Sequence, residues 1–356
     1  MPFPRAAGRV TVGLVLFATF LTGVIVTTRS PRVPVATEFV FVGEAVPAGN
    51  LVFITPDSLL CPAVNDLYHV RLGAEGGSRK VYSHPQWVER VAASGDGKRV
   101  IVASNSGLTE LTWVDGLLTK SAELVLNREA NASAPESPFG DLLVWDDGSL
   151  AFTTREGGAT VYRRVGADGP VETVYTLADD PALTRNPRAA FLHVYGTFMD
   201  LKRRHVHLAY SGGIATAPLD PTGRPSNIPL PGRDAFTVLP GTQSGGLYIG
   251  SHTQLLCLDA SGRVLVTIKL PGAVSATAAV PGRGLVAVLQ SRATLGASDC
   301  QLLRADSLDK VVSLPLAPKA GGQSLAVSPD GSRLAAVTGY GDRTLLKVWK
   351  LADVLP

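Results

Sequence analysis

A ring of seven four-stranded blades, an all-β propeller, is the fold that these 356 residues predict, and three observations predict it. The first is composition: 37 Gly and 25 Pro without a collagen-like period, set among many Val, Leu and Thr, favour short strands cut by turns over long helices. The second is a repeat of strand, turn and strand at a spacing of about 46 residues, within the range of four-stranded propeller blades. The third is that the two ends of the repeat region complement each other. With 45% hydrophobic and 18% charged side chains, the chain can bury a large core.

The repeat is clearest in VAASGDGKRVIVAS (91–104), LLVWDDGSLAFTT (142–154) and LAVSPDGSRLAAVT (325–338). Each is an apolar strand, an Asp-Gly turn and a second strand. Glycine accepts the positive φ of a tight turn and aspartate tolerates it, so the pair reverses the chain cheaply. Elsewhere the turn chemistry drifts while the rhythm persists. Second strands begin near Leu59, Arg99, Leu150, His205, Gly246, Gly284 and Arg333, and seven starts predict seven blades. The last unit lacks a fourth strand after LLKVWKL (345–351), while EFVFVG (38–43) is unassigned before the first. Pairing the two closes the ring and removes its open sheet edges, so residues 39–42 are predicted to form the outer strand of the last blade.

On these residues the chain resembles WD40-like and YVTN-type bacterial propeller repeats, through LAVSPDGSRLAAVTG followed by LLKVWKL. LDASGRVL (258–265) and LDPTGRP (219–225) are similar to the turns of quinoprotein-type repeats. The resemblance is one of repeat type over most of residues 38–351. It departs from WD40 repeats in having no Gly-His and in placing Lys350 after Trp349. It departs from quinoprotein repeats in having Val264 and Pro225 where their tryptophan stands. It implies the architecture and carries over no activity.

Residues 1–30 read as a membrane anchor or signal, 31–37 as a tether and 38–356 as the propeller. The stretch VTVGLVLFATFLTGVIVT (10–27) has no charge and as a helix would span about 27 Å, near the thickness of a bilayer core. It exceeds the usual apolar region of a cleavable signal, and no clean small-residue cleavage site follows, so an uncleaved anchor is favoured; cleavage would give a secreted domain. Arg5, Arg9 and the amino terminus outweigh Arg29 and Arg32 by one charge, which places the propeller outside the cytoplasm. Pro31 and Pro34 stiffen the tether.

The 33 basic and 30 acidic residues are mixed along the chain, which argues against nucleic acid as a partner. Cys61, Cys257 and Cys300 read as buried core residues, with one disulfide open to an exported domain. No nucleophile elbow, phosphate loop, dinucleotide fingerprint, zinc-protease helix or calcium loop occurs. No catalytic residue, cofactor or metal site is therefore assigned. The nearest approach to a metal site is His205 and His207, two apart on one strand, with His193 and Asp200 before them. Asp96, Asp147, Asp220, Asp259 and Asp330 read as turn formers, with the pair at 146–147 the closest to a calcium loop. Trp113, Trp145 and Trp349 fall on strands and read as packing between blades.

Two of the longest connections, residues 127–140 and 178–190, are neighbours, and residues 83–89 precede them. In a propeller such connections emerge on one face. They gather Trp87, Arg128, Glu129, Asp179, Asp180, Arg185 and Arg188 there as candidate binding residues. Asn131-Ala132-Ser133 fits a glycosylation sequon. The expected function is a membrane-anchored, monomeric scaffold that binds a protein or envelope ligand through that face. The alternative is a propeller hydrolase or lactonase with a metal near the central channel, and a quinone-dependent dehydrogenase is more distant.

Overall fold

The computed structural model describes residues 35–42, 50–73, 76–104, 107–124, 139–154, 160–177, 194–200, 204–219, 223–241, 246–292, 297–318, 321–340 and 343–355. Strand β1 (Thr37–Val42) comes first in the chain. Blade 1 is β2 (Val52–Thr55), β3 (Ser58–Ala63), β4 (Asp66–Arg71) and β5 (Gly77–Ser83). Blade 2 is β6 (Val88–Ala93), β7 (Arg99–Ser104), β8 (Gly107–Val114) and β9 (Leu117–Leu124). Blade 3 is β10 (Phe139–Val144), β11 (Leu150–Thr154), β12 (Thr160–Arg164) and β13 (Val171–Thr176). Blade 4 is β14 (Val194–Asp200), β15 (His205–Pro218) and β16 (Ser226–Asp234). Blade 5 is β17 (Thr237–Pro240), β18 (Leu247–Ser251), β19 (Gln254–Leu258) and β20 (Val264–Lys269). Blade 6 is β21 (Ala273–Val280), β22 (Leu285–Arg292), β23 (Ala297–Arg304) and β24 (Lys310–Pro318). Blade 7 joins β25 (Gly321–Val327), β26 (Arg333–Tyr340) and β27 (Arg343–Lys350) to β1, and a short helix α1 (Leu351–Val354) follows.

Blade 4 departs from the pattern only in name. Its β15 runs for 14 residues but folds back on itself: Leu219 N donates to Arg204 O at 2.7 Å, and His207 Nδ1 lies 2.9 Å from Thr216 Oγ1. Gly212, at φ +97°, makes the turn that a side chain would strain. The halves take the second and third positions, β14 pairing with the first and β16 with the second.

The ring closes as the chain ends predicted. Strand β1 pairs antiparallel with β27, Thr37 against Val348 and Val42 against Arg343. The predicted second-strand starts agree within one residue with those of β3, β7, β11, β15, β18, β22 and β26.

Packing follows from the two-residue period of a strand. In β7, Val100 and Val102 pack toward blade 1, while Ile101 and Ala103 pack toward blade 3. Strands covered on both faces read as continuous apolar runs, which is why VIVA stands here. The described core divides into seven clusters, one at each blade interface, including that between blades 7 and 1. Burial of each Val, Leu or Ile contributes about 1.5–3 kcal/mol.

The turns joining first to second and third to fourth strands share one end of the blades, called here the lower face. Neighbouring lower turns touch: Asp96 N donates to Asp146 Oδ1 at 3.0 Å, and Arg283 Nε to Gly331 O at 2.8 Å. Second-to-third turns and the connections between blades lie on the upper face. The apolar residues 10–27 lie outside the described residues, among which no helix is long and apolar enough to cross a membrane.

Candidate functional site

A channel cavity of about 540 Å³ is lined by the inner strands of blades 2 to 7 and by Asn50 and Leu51, just before β2 of blade 1. Its described wall is mostly small or apolar, with one carboxylate (Asp141), one guanidinium (Arg90) and one carboxamide (Asn50). These groups hold the ring together. Asn50 Nδ2 donates to Val91 O at 2.8 Å and its Oδ1 accepts from Val91 N at 2.9 Å, tying blade 1 to blade 2. Arg90 Nε donates to Gly140 O of blade 3 at 2.7 Å. Asp141 Oδ2 accepts from Met199 N of blade 4 at 3.1 Å, and Ser324 Oγ of blade 7 accepts from Leu51 N at 3.1 Å. Desolvation pushes the Asp141 carboxyl above its usual pKa, against the Leu142 N–H, the Arg90 charge and the Met199 N–H, which draw it down. The three groups were not singled out in the sequence, because each partner lies 41 to 58 residues away.

On the upper face, Trp87 is exposed by 56% in the connection from blade 1 to blade 2. Its loop is held at both ends: His84 N donates to Asn65 O and Val88 N to Val64 O, each at 2.8 Å. His84 Nδ1 accepts from Gln86 N at 3.0 Å, and its buried ring sits 3.4 Å from Thr109 Oγ1. Burial holds that ring below its usual pKa. A large aromatic side chain is thus displayed on a fixed support. Arg128, Glu129, Asp179, Asp180, Arg185, Arg188 and His193 lie outside the described residues. The residues bounding those segments, Leu124 and Phe139, Leu177 and Val194, end or begin blades at the upper face.

His205 stands opposite Asp200 in the blade 4 ladder, and His207 is buried beside Thr216. Among the described residues no three His, Cys, Asp or Glu side chains gather to hold a metal ion. Asp220 lies outside the described residues; of the other turn aspartates, Asp330 Oδ1 accepts from Ser328 Oγ at 2.6 Å and Ser332 N at 3.0 Å, and Asp259 Oδ1 from Ser261 N and Arg263 N at 2.9 Å. In the pair at 146–147, Asp146 accepts from Asp96 N and Asp147 from Ser149 N. Trp349 is fully buried between blades 6 and 7, Trp113 packs against the blade 1–2 core and Trp145 against the blade 3–4 core. Cys61, Cys257 and Cys300 are buried free thiols, and desolvation pushes Cys61 up to about 12.

Glu110, nearly buried, accepts from Arg99 Nη1 at 3.0 Å and Arg164 Nη2 at 3.3 Å. It joins blade 2 to blade 3 beneath the lower turns.

The class of protein these features define is a seven-bladed β-propeller closed by its N-terminal strand. No protein-family profile matches the chain, and no curated protein matches it. Solved structures do. A chain in a crystal structure of the mitotic checkpoint complex aligns with a TM-score of 0.67 and 15% identity, over 91% of this chain and 96% of that one. The Cps50 (Swd1) propeller domain of Myceliophteria thermophila aligns at 0.64 and 13%, over 87% and 99%. The WD40 propeller domain of Doa1 aligns at 0.63 and 11%, over 89% and 96%. At such identities the likeness shows the propeller fold alone.

Proposed function

We propose that the chain is a binding scaffold, held at a membrane by residues 10–27 with its propeller outside the cytoplasm. It recognises a protein or envelope ligand through the upper face. The observation that carries the binding reading is the use of the described polar groups of the channel wall. Asn50, Arg90, Asp141 and Ser324 are each engaged in a bond to the neighbouring blade, while Trp87 is exposed on a supported loop. Aromatic side chains on rigid supports are the usual anchors of protein interfaces. The fold shared with a chain of the mitotic checkpoint complex structure and with the WD40 propeller domain of Doa1 supports the same reading. The SPDG turn of blade 7 keeps the likeness to YVTN-type repeats within it. The uncharged stretch 10–27 and the extra positive charge before it support the anchor and its orientation.

The test is crosslinked capture with the detergent-solubilised full chain, beside a metal analysis of the same preparation. A specific partner is expected, bound about tenfold or more weakly by Trp87→Ala. A stoichiometric divalent ion with turnover and no partner overturns the scaffold. Protease added to intact cells is expected to digest the propeller, and protection places it in the cytoplasm.

A further inference from the structure

We infer that the upper mouth of the channel is a carbohydrate site, where aromatic rings of blades 4 and 5 stack on a neutral sugar whose hydroxyls bond to the rest of the wall. The site lies across the ring from Trp87 and depends on neither the anchor nor the scaffold reading.

The first observation is a row of rings that the core does not use. Tyr195 and Phe236 line the channel, with ring centroids 4.7 Å apart. The ring of His252 stands edge-on to Phe236 at 4.5 Å. Inner strands run from the upper face to the lower, so Tyr195, second in β14, and Phe236, just before β17, stand at the upper end. His252 lies in the upper turn between β18 and β19 and is exposed, while the other two are half-buried. Neither Tyr195 nor Phe236 belongs to a described core cluster, whereas Phe198 on the same wall packs against two of them.

The row is set by the backbone. Tyr195 falls at a bulge between Val194 and Gly196, a device that re-aims a side chain. A Cβ at Gly196 would stand 2.3 Å from Phe236 O, so glycine there lets the two blades approach closely enough for the rings to meet. Phe236 N donates to Gly250 O at 2.8 Å, and Val274 N to His252 O at 2.7 Å. Rings held in place before the ligand arrives lose little freedom on binding.

The second observation is the chemistry of the remaining wall. Its described charges are one guanidinium, Arg90, and one carboxylate, Asp141. Both oxygens of Asp141 already accept backbone N–H bonds, from Leu142 and Met199, and Arg90 is committed to Gly140 O and Glu89 O. Neither a cationic nor an anionic ligand finds a dedicated partner there. Asn50 retains one N–H and one lone pair beyond its bonds to Val91, and Thr197 and Thr277 add hydroxyls to the lining. A neutral sugar ring has the matching two-sided character: C–H faces, drawn to the negative face of an aromatic ring, and hydroxyl edges. The cavity of about 540 Å³ is the size of a small-molecule pocket.

Saturation-transfer NMR on the full chain tests this, in a detergent whose head group carries no sugar. The probes are maltotriose, cellotriose and triacetylchitotriose, each beside its monosaccharide, with choline as the cationic control. At least one of the sugars is expected to receive transfer, strongest at the ring C–H protons of one residue. His252→Ala and Tyr195→Leu are each expected to weaken binding about tenfold, and Trp87→Ala to leave it unchanged. Equal affinity for the monosaccharide identifies a free sugar as the ligand and tighter binding of the trisaccharide the end of a glycan; either supports the site. Transfer to no sugar, transfer to choline alone, or transfer that both variants leave intact overturns it. A loss confined to Tyr195→Leu with a lowered melting temperature is damage to the fold and overturns it as well. Failure of the Trp87-dependent capture with sugar binding intact overturns the scaffold and leaves this site standing.

Discussion

Gly331 and Gly282 occupy equivalent turns on blades 7 and 6, with φ of +66° and +69°. A side chain at either carries the cost of a left-handed conformation, about 1–2 kcal/mol. The two differ in space. A Cβ at Gly282 meets nothing within 4 Å, whereas one at Gly331 would stand 2.2 Å from Pro281 O on the neighbouring blade. Gly282→Ala is therefore expected to lower stability by about 1 kcal/mol and Gly331→Ala by at least twice that, read from urea midpoints at unchanged slope. The turn aspartates give a pH dependence. Hydrogen bonds from Ser94, Ser149, Ser261 and Ser328 and their neighbours hold Asp96, Asp147, Asp259 and Asp330 below the usual carboxylate pKa. Their stabilisation is fully present above the unfolded value of 3.8 and is lost as pH falls through the lower folded values. The urea midpoint is expected to drop below pH 4, and less steeply in Asp330→Asn. The raised Asp141 acts in the opposite sense, its contribution declining as pH rises through its native value. The turn roles were legible in the sequence because they are local: each aspartate bonds two to four residues away. The role of Asp141 was not, since Met199 is 58 residues on.

At the scale of elements, β1 is the strand that comes from the far end of the chain. It covers β27, whose Leu346 and Val348 are buried in the blade 7–1 core, with Phe39 packed against the same cluster. Removal of residues 1–42 is expected to expose that edge, lower the melting temperature and produce concentration-dependent oligomers in size-exclusion chromatography. Removal of residues 1–35 leaves β1 in place, and the ring is expected to remain a single species. An unchanged melting temperature after the longer deletion would show that the closure is dispensable. The strand could be read in advance because a hairpin blade with three strands at one end and a lone apolar strand at the other leaves one economical pairing. Blade 4 was less legible: Ser211-Gly212-Gly213 makes so tight a reversal that two strands merge into one 14-residue element.

For the whole molecule, each blade depends on its neighbours, because every described core cluster is shared between two of them. Polar bridges add to this coupling. Glu110 lies between Arg99 and a nearly buried Arg164, so Glu110→Gln leaves buried positive charge uncompensated. A loss of about 3 kcal/mol is expected, in a single global transition. Lys98→Ala, at an exposed pair with Asp96, is expected to cost no more than about 0.5 kcal/mol. Two separate transitions in Glu110→Gln would show that blades 2 and 3 unfold on their own.

The amino-acid sequence by itself determined the blade, its count and its closure. Strand period and Asp-Gly turns act through neighbours a few residues apart, their recurrence about every 46 residues counts the blades, and the one unpaired strand at each end of the repeat leaves a single closure. Only the tertiary structure decided which polar groups stitch the channel wall and that Glu110 is bracketed by Arg99 and Arg164. Those facts depend on residues brought together across blades. A ring folds sequence separations of 40 to 60 residues into single contacts, and no local pattern reports which residue will stand opposite another once it closes.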